Sequence, residues 1–244
     1  MFPFIFYSNV LFMGGTILLF HQVFKSMNIE KQIFEKYSVN MMRSLMCSMI
    51  ANESFSHIGY LYSDRCLSST MVKDKFIDIY YFFLSYFVFD TVILFYQVYL
   101  KIEKHIRLDL LLHHILAITA FLYINHYQQY GIVPFIGMSE AMSIVSGPKL
   151  LSVYYGNKYI TNIFIFYRLC FLVYVRMLII WPSLILYYMS TYYCKNNDTN
   201  NDTNNDTNNY TTNYNIFLVV SMVAIIFHAE IRWLHSGRNE LSRI

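Results

Sequence analysis

Long apolar runs recur along the whole chain, and they constrain its fold more than any other feature. The segments 77–100 and 163–190 are two clear examples. A helix needs about 20 predominantly apolar residues to cross the hydrocarbon core of a bilayer. Only 14% of the 244 residues are charged and 56% are hydrophobic, whereas a soluble domain carries about 25% charged residues. The sequence therefore predicts an all-α, polytopic transmembrane helical bundle and excludes a large soluble catalytic domain, a β-sandwich and a disulfide framework.

About seven segments are candidate spans. The second is the weakest, because Arg43, Glu53 and His57 interrupt it, so it has to face protein or a polar cavity if it crosses the membrane. We expect the first to be a retained anchor rather than a signal peptide, because no basic residue precedes its apolar run. The candidates are 2–20, 41–61, 77–100, 109–126, 132–153, 161–190 and 214–234.

The distribution of basic residues between the spans predicts the orientation. Ten Lys and Arg residues fall on one side of the membrane, and four fall on the other. Because basic loops tend to stay in the cytosol, we expect a cytosolic C-terminus and an N-terminus in the lumen or outside the cell.

A low-complexity tract at 196–213 separates the last two candidate spans. It repeats a four-residue unit of Asn, Asp and Thr, and such a polar tract buries too little apolar surface to fold. We therefore expect it to be disordered. Glycosylation is open there, and the alternative is a compositional insertion tolerated in a surface loop. The acceptor triplets begin at Asn197, Asn201, Asn205 and Asn209.

Net charge and cysteine spacing limit the partners and cofactors. The net charge of +3 is too small to indicate a nucleic-acid partner. The four cysteines show no paired spacing, so they indicate neither a metal site nor an obligatory disulfide. We expect no resident cofactor.

Asp109, His113 and His114 form the strongest polar cluster, where the third cytosolic loop enters the fourth span. Asp109 and His113 are four residues apart, so on a helix they share a face and can hydrogen-bond. His113 and His114 lie about 100° apart around the helix, so both line one cavity only if it is broad. The alternative is a pair of interfacial histidines that contact lipid head groups.

Further ionisable residues lie inside the spans, where charge is costly. Asp90 is expected about 15 Å from the cytosolic end of its span and Glu140 about 12 Å from the lumenal end of its own. Arg176 can pair with either carboxylate, and a purely structural network is the alternative to a functional one. His228 lies in the last span at the depth of His113.

Glycine and proline interrupt two of the spans. Gly137, Gly147 and Pro148 are expected to break the fifth span, and Pro182 the sixth. Irregular backbone is tolerated in a membrane where it lines a cavity or packs against neighbouring helices.

Two motifs resemble those of the TLC-domain family, which includes ceramide synthases, translocation-associated membrane proteins and lipid-homeostasis proteins. Residues 86–90 read Tyr-Phe-Val-Phe-Asp, and residues 109–117 carry a leucine-rich approach to the His113–His114 pair. The resemblance implies a six-span domain at 40–236, preceded by an anchor and cytosolic loop at 1–39 and followed by a cytosolic tail at 237–244. It also implies the endoplasmic reticulum.

The chain departs from the ceramide synthases within this family. Those enzymes carry a His-Asp pair and a second aspartate near the position of Glu140, whereas residues 137–143 read Gly-Met-Ser-Glu-Ala-Met-Ser. The chain is more similar to the other members. The resemblance carries over Asp90, His113 and His114 well, and Glu140 and Arg176 moderately.

Three functions stay open. The first is lipid homeostasis, through sensing, transfer or metabolism, with a membrane lipid as partner and Asp109, Glu140, Arg176 and His228 lining a polar cavity. The second is an N-acyltransferase that moves an acyl group from acyl-CoA, its co-substrate, to a long-chain amine, with His113, His114 and Asp90 as candidate catalytic residues. The third is an ion or solute transporter, which the lack of an internal repeat disfavours. A homo-oligomer is compatible with each.

Overall fold

The computed structural model describes residues 4–27, 29, 31–63, 69–100, 102, 108–187, 189 and 231. Within these residues the chain is helical, with no β-strand, which confirms the predicted all-α class. Four long helices come first: α1 (Phe4–Ser26), α2 (Lys31–Ser63), α3 (Ser69–Tyr99) and α4 (Leu108–Tyr127).

Four helices of the described part are long and apolar enough to cross a membrane, which supports the predicted transmembrane class. They are Phe4–Ser26, Met71–Tyr99, Leu108–Tyr127 and Lys158–Tyr187. These correspond to the first, third, fourth and sixth predicted spans. The tract at 196–213, His228 and, apart from residue 231, the predicted span at 214–234 lie outside the described residues.

Helix α2 is the centre of the bundle, although it is the least apolar of the long helices. It packs against α1, α3 and the segments that follow α4. Its apolar side chains Met42, Met46 and Ile50 are fully buried, and Arg43 is buried beside them. Glu53, by contrast, is exposed. Of the polar residues that weaken the predicted second span, Arg43 therefore faces the core and Glu53 faces outward.

The region of the predicted fifth span is a series of short helices. A 3-10 turn at Tyr130–Ile132 leads into α5 (Val133–Ser139), a 3-10 helix at Glu140–Val145 and α6 (Ser146–Tyr154). The helix is interrupted as predicted, but the backbone changes from α-helix to 3-10 helix at Glu140–Val145. This change lies between Gly137 and Gly147 rather than at either glycine.

The glycines of this region permit close packing. A Cβ atom on Gly137 would overlap Ser54 and Phe83, and one on Gly147 would lie 2.9 Å from the Cα of Met41. Real Cβ atoms do not approach backbone that closely, so a side chain at Gly147 would push α6 away from α2. A side chain at Gly137 would displace the side chains of Ser54 in α2 and Phe83 in α3.

The helix that begins at Lys158 contains an extended π-helical segment. Helix α7 (Lys158–Cys170) begins at Asn157, whose side chain accepts a hydrogen bond from the amide of Ile160. It continues as a π-helix over Phe171–Ile180 and then as an α-helix to Tyr187. Pro182 lies just after the π-helix. Because proline cannot donate a backbone hydrogen bond and crowds the preceding turn, the irregularity falls before Pro182 rather than at it.

Candidate functional site

A buried ion pair joins α2 to α3. The Nε of Arg43 donates to both carboxylate oxygens of Asp90, at 2.7 Å and 2.9 Å. The Asp90 side chain is 0% exposed. An unpaired carboxylate in such an environment would be very costly, and the bidentate contact with Arg43 offsets this cost.

His114 extends this pair toward α4. Its Nε2 lies 3.4 Å from the second oxygen of Asp90, and its Nδ1 lies 3.3 Å from the hydroxyl of Thr91. The Thr91 hydroxyl itself donates to the carbonyl of Phe87, which fixes it against α3. Arg43, Asp90 and His114 therefore form one connected group, here called the inner triad.

A second group with the same three kinds of side chain lies beside it. The Nε2 of His113 is 3.4 Å from the carboxylate of Glu140, and Arg176 is close enough to Glu140 to interact with it electrostatically. The guanidinium of Arg176 also lies over the Trp181 ring, at 5.8 Å from the ring centroid. Arg176, Glu140 and His113 are here called the outer triad.

The ring of Phe87 connects the two triads. Its centroid lies 5.9 Å from that of the His113 ring and 5.6 Å from that of the His114 ring, with its plane steeply inclined to both. Such edge-to-face contacts are favourable, and Phe87 is itself almost completely buried. The two imidazoles are therefore supported by one rigid aromatic side chain.

The two histidines differ in their exposure. The His114 side chain is 2% exposed and the His113 side chain is 22% exposed. Helix geometry explains this, because adjacent residues differ by about 100° around the axis. His114 faces into the bundle, whereas His113 lies at its border, where another molecule can reach it.

Irregular backbone and small polar side chains complete the surroundings of the cluster. The hydroxyl of Ser44 accepts a hydrogen bond from the amide of Gly147 at 2.7 Å and lies 3.4 Å from the carbonyl of Ser143. The thiol of Cys47 lies 3.4 Å from the hydroxyl of Tyr86. The Ser44 contacts attach α2 to α6 and to the 3-10 helix that carries Glu140, and the Cys47 contact attaches α2 to α3. The close packing at Gly147 therefore also positions the outer triad.

Five of the seven predicted site residues come together in these two triads: Asp90, His113, His114, Glu140 and Arg176. Asp109 is exposed in the first turn of α4, and the carboxylate found 3.4 Å from His113 is that of Glu140. His228 lies outside the described residues. Of the two expected partners of Arg176, the structure favours Glu140, since Asp90 pairs with Arg43.

Arg43 is the site residue that the sequence analysis missed. The sequence shows it as a charge that weakens the second span, and the same observation indicates its role. An arginine within an apolar helix needs a buried carboxylate partner, and Asp90 in the next helix is of opposite sign. Pairing Asp90 with Arg43 rather than with Arg176 alone would have identified it.

In the part of the chain that the structure describes, no group of three or more His, Cys, Asp or Glu side chains is arranged to hold a metal ion. The carboxylates of the cluster instead face arginine and histidine. No protein-family model, curated protein or solved structure matches this chain.

Proposed function

We propose that this chain is a lipid-handling membrane protein of the TLC-domain type, acting in lipid homeostasis through lipid sensing or transfer. The observation that carries the proposal is the cluster of six ionisable side chains, contributed by five helical segments and bordered by the partly exposed His113. Ionisable groups at membrane depth are rare and mark sites that interact with polar molecules. The apolar surroundings suit an acyl chain, and the cluster suits a polar head group.

The proposed topology has seven spans, a lumenal N-terminus and a cytosolic C-terminus. The excess of basic residues on the cytosolic side supports it, and the family resemblance supports the endoplasmic reticulum as its location. His113 is five residues from the start of α4, or about 7.5 Å along the helix. In this topology the accessible border of the cluster therefore lies near the cytosolic surface of the bilayer.

Lipids that copurify with the protein test the proposal. Protein extracted in a mild detergent should retain a stoichiometric lipid detectable by native mass spectrometry. The variant His113→Ala should lose most of this lipid because it removes the side chain at the open border. His126→Ala is the matched control, since His126 is exposed in the last turn of the same helix. Absence of bound lipid from the wild-type protein would refute the proposal, as would equal retention in both variants.

A second candidate function is acyl transfer from acyl-CoA to a long-chain amine. The specific observation in its favour is the contact between the accessible His113 and Glu140. A carboxylate that orients an imidazole is the arrangement used in general-base catalysis. Purified protein incubated with acyl-CoA and sphinganine should form the amide, and His113→Ala should abolish it while His126→Ala does not. Amide formation that survives His113→Ala would contradict this role.

A further inference from the structure

One nitrogen of the inner triad has no acceptor. The Nε of Arg43 satisfies both oxygens of Asp90, whereas the Nη2 of the same guanidinium is buried and makes no hydrogen bond. A guanidinium presents five N–H donors in a fixed planar fork. A buried donor of a charged group that lacks an acceptor is costly, so an oxygen atom placed at Nη2 would be bound favourably.

The net charge of the two triads determines whether a charged or an uncharged ligand oxygen is favoured at Nη2. The two arginines and the two carboxylates carry opposite charges that cancel. A phosphate or carboxylate entering the cluster would therefore add an uncompensated charge to a low-dielectric environment, which is unfavourable. An uncharged carbonyl or hydroxyl oxygen accepts a hydrogen bond without this cost.

The position of Arg43 relative to the open border is consistent with contact to a ligand. Its side chain retains 10% exposure, against 0% for Asp90, so Arg43 is the less buried partner of the ion pair. His113, at 22% exposure, is the more exposed polar side chain of the outer triad. A head group with two oxygens can interact with both.

We propose that Arg43 directly binds the head group of an uncharged lipid, through a hydrogen bond from Nη2 to a carbonyl or hydroxyl oxygen of that lipid. This inference rests on the proposed lipid-handling function and adds the chemical class of the ligand. It makes Arg43 a specificity-determining residue, because its ion pair with Asp90 leaves no net positive charge to favour an anionic head group.

Two lipids with the same acyl chains distinguish the alternatives. Dioleoylglycerol is uncharged, and dioleoylphosphatidate carries a phosphate on the same backbone. Binding of each to the detergent-solubilised full chain can be measured at pH 7.5 by native mass spectrometry. The wild-type protein should bind dioleoylglycerol more tightly, and preference for dioleoylphosphatidate would overturn the proposal.

The variant Arg43→Lys tests the role of the guanidinium. Lysine keeps the positive charge beside Asp90 but lacks the planar fork and its second nitrogen, so affinity for dioleoylglycerol should fall about 10-fold or more. Arg168→Lys makes the same change in α7 and should bind as the wild type does. Unchanged affinity in Arg43→Lys would refute the contact while leaving lipid binding intact, whereas no lipid binding by the wild-type protein would refute the proposed function itself.

Discussion

Single residues decide whether charge is tolerated within this bundle, and Arg43 and Asp90 show how. Each would be prohibitively costly if buried alone, yet together they connect α2 to α3 through two short hydrogen bonds. Such a pair is a weak source of net stability, because the cost of removing both charges from water offsets their attraction. Removing one partner of the pair is strongly destabilising, because the other charge then stays buried without a partner.

Asp90→Asn should therefore destabilise the protein by about 3–5 kcal/mol. Thermal unfolding in detergent, followed by circular dichroism, measures the change. The double variant Arg43→Met/Asp90→Leu removes both charges and should regain most of the lost stability. Were the double variant as unstable as Asp90→Asn, the loss would come from packing rather than from the unpaired charge.

Glu53→Gln provides the control for this experiment. Its side chain is 51% exposed and lies 3.5 Å from His57 in the same helix. Exposed ion pairs contribute about 0–1 kcal/mol, so the substitution should leave the unfolding temperature nearly unchanged.

At the scale of single residues, the sequence predicts the members of the site better than their pairing. Asp90, Glu140 and Arg176 can be identified because a charged residue within an apolar run is conspicuous. Which carboxylate meets which arginine depends on helix rotation and on contacts between α2 and the 3-10 helix. Neither follows from the spacing of residues along one helix, and for this reason the contact between Glu140 and His113 was not predicted.

Helical elements in this protein are predictable where a single physical property determines them. Helices α1, α3, α4 and α7 follow from hydropathy alone, because each needs only enough apolar length. The segment from Tyr130 to Tyr154 is different. Its 3-10 helix and its glycines are determined by what packs against them, namely α2 and α3, and a sequence pattern contains no information on that contact.

Gly147→Ala should be destabilising by about 1–3 kcal/mol, as expected for overpacking. The added Cβ would lie 2.9 Å from both the Asn40 carbonyl oxygen and the Met41 Cα, so backbone has to move. The substitution should also reduce lipid retention, because the same contact positions the 3-10 helix with Glu140. The unfolding temperature and the native mass spectrum report the two effects.

Gly59→Ala is the matched control for this prediction. Gly59 is exposed in α2, and a Cβ there meets nothing within 4 Å. Because alanine is favoured over glycine within a helix by about 0.5–1 kcal/mol, this variant should be as stable as the wild type or more so. Equal losses in the two variants would show that the contact at Gly147 is not responsible.

At the scale of the molecule, the described part of the chain combines an apolar exterior with a buried polar cluster. Large apolar side chains of α1 and α4 are exposed, among them Leu11, Leu18, Leu112 and Leu122. In water such a surface would drive aggregation, whereas in a bilayer it is the expected exterior. The class of protein was predictable because composition alone reveals this surface. Four of the described helices are candidate spans by hydropathy, and the count of about seven spans stays a prediction.

Protease protection in sealed microsomes tests the proposed orientation. A C-terminal epitope tag should be removed by added protease, and an N-terminal tag should be protected until detergent is added. The physical reason is the retention of basic loops in the cytosol. Removal of the N-terminal tag with protection of the C-terminal one would reverse the topology and would move the border at His113 to the lumenal side.

The π-helix at Phe171–Ile180 has a further consequence for the tolerance of the chain to length changes. Hydrogen bonds from i to i+5 enclose more backbone per turn than those of an α-helix, so each π-helical residue turns the chain through a smaller angle. Over ten residues, the difference accumulates into a large rotation of everything that follows, including the buried Trp181 and Leu184. The length of this segment thus determines which side chains of residues 181–187 point into the bundle. Inserting or deleting one residue here would turn that apolar face away from the bundle, although the same change in a surface loop would have little effect.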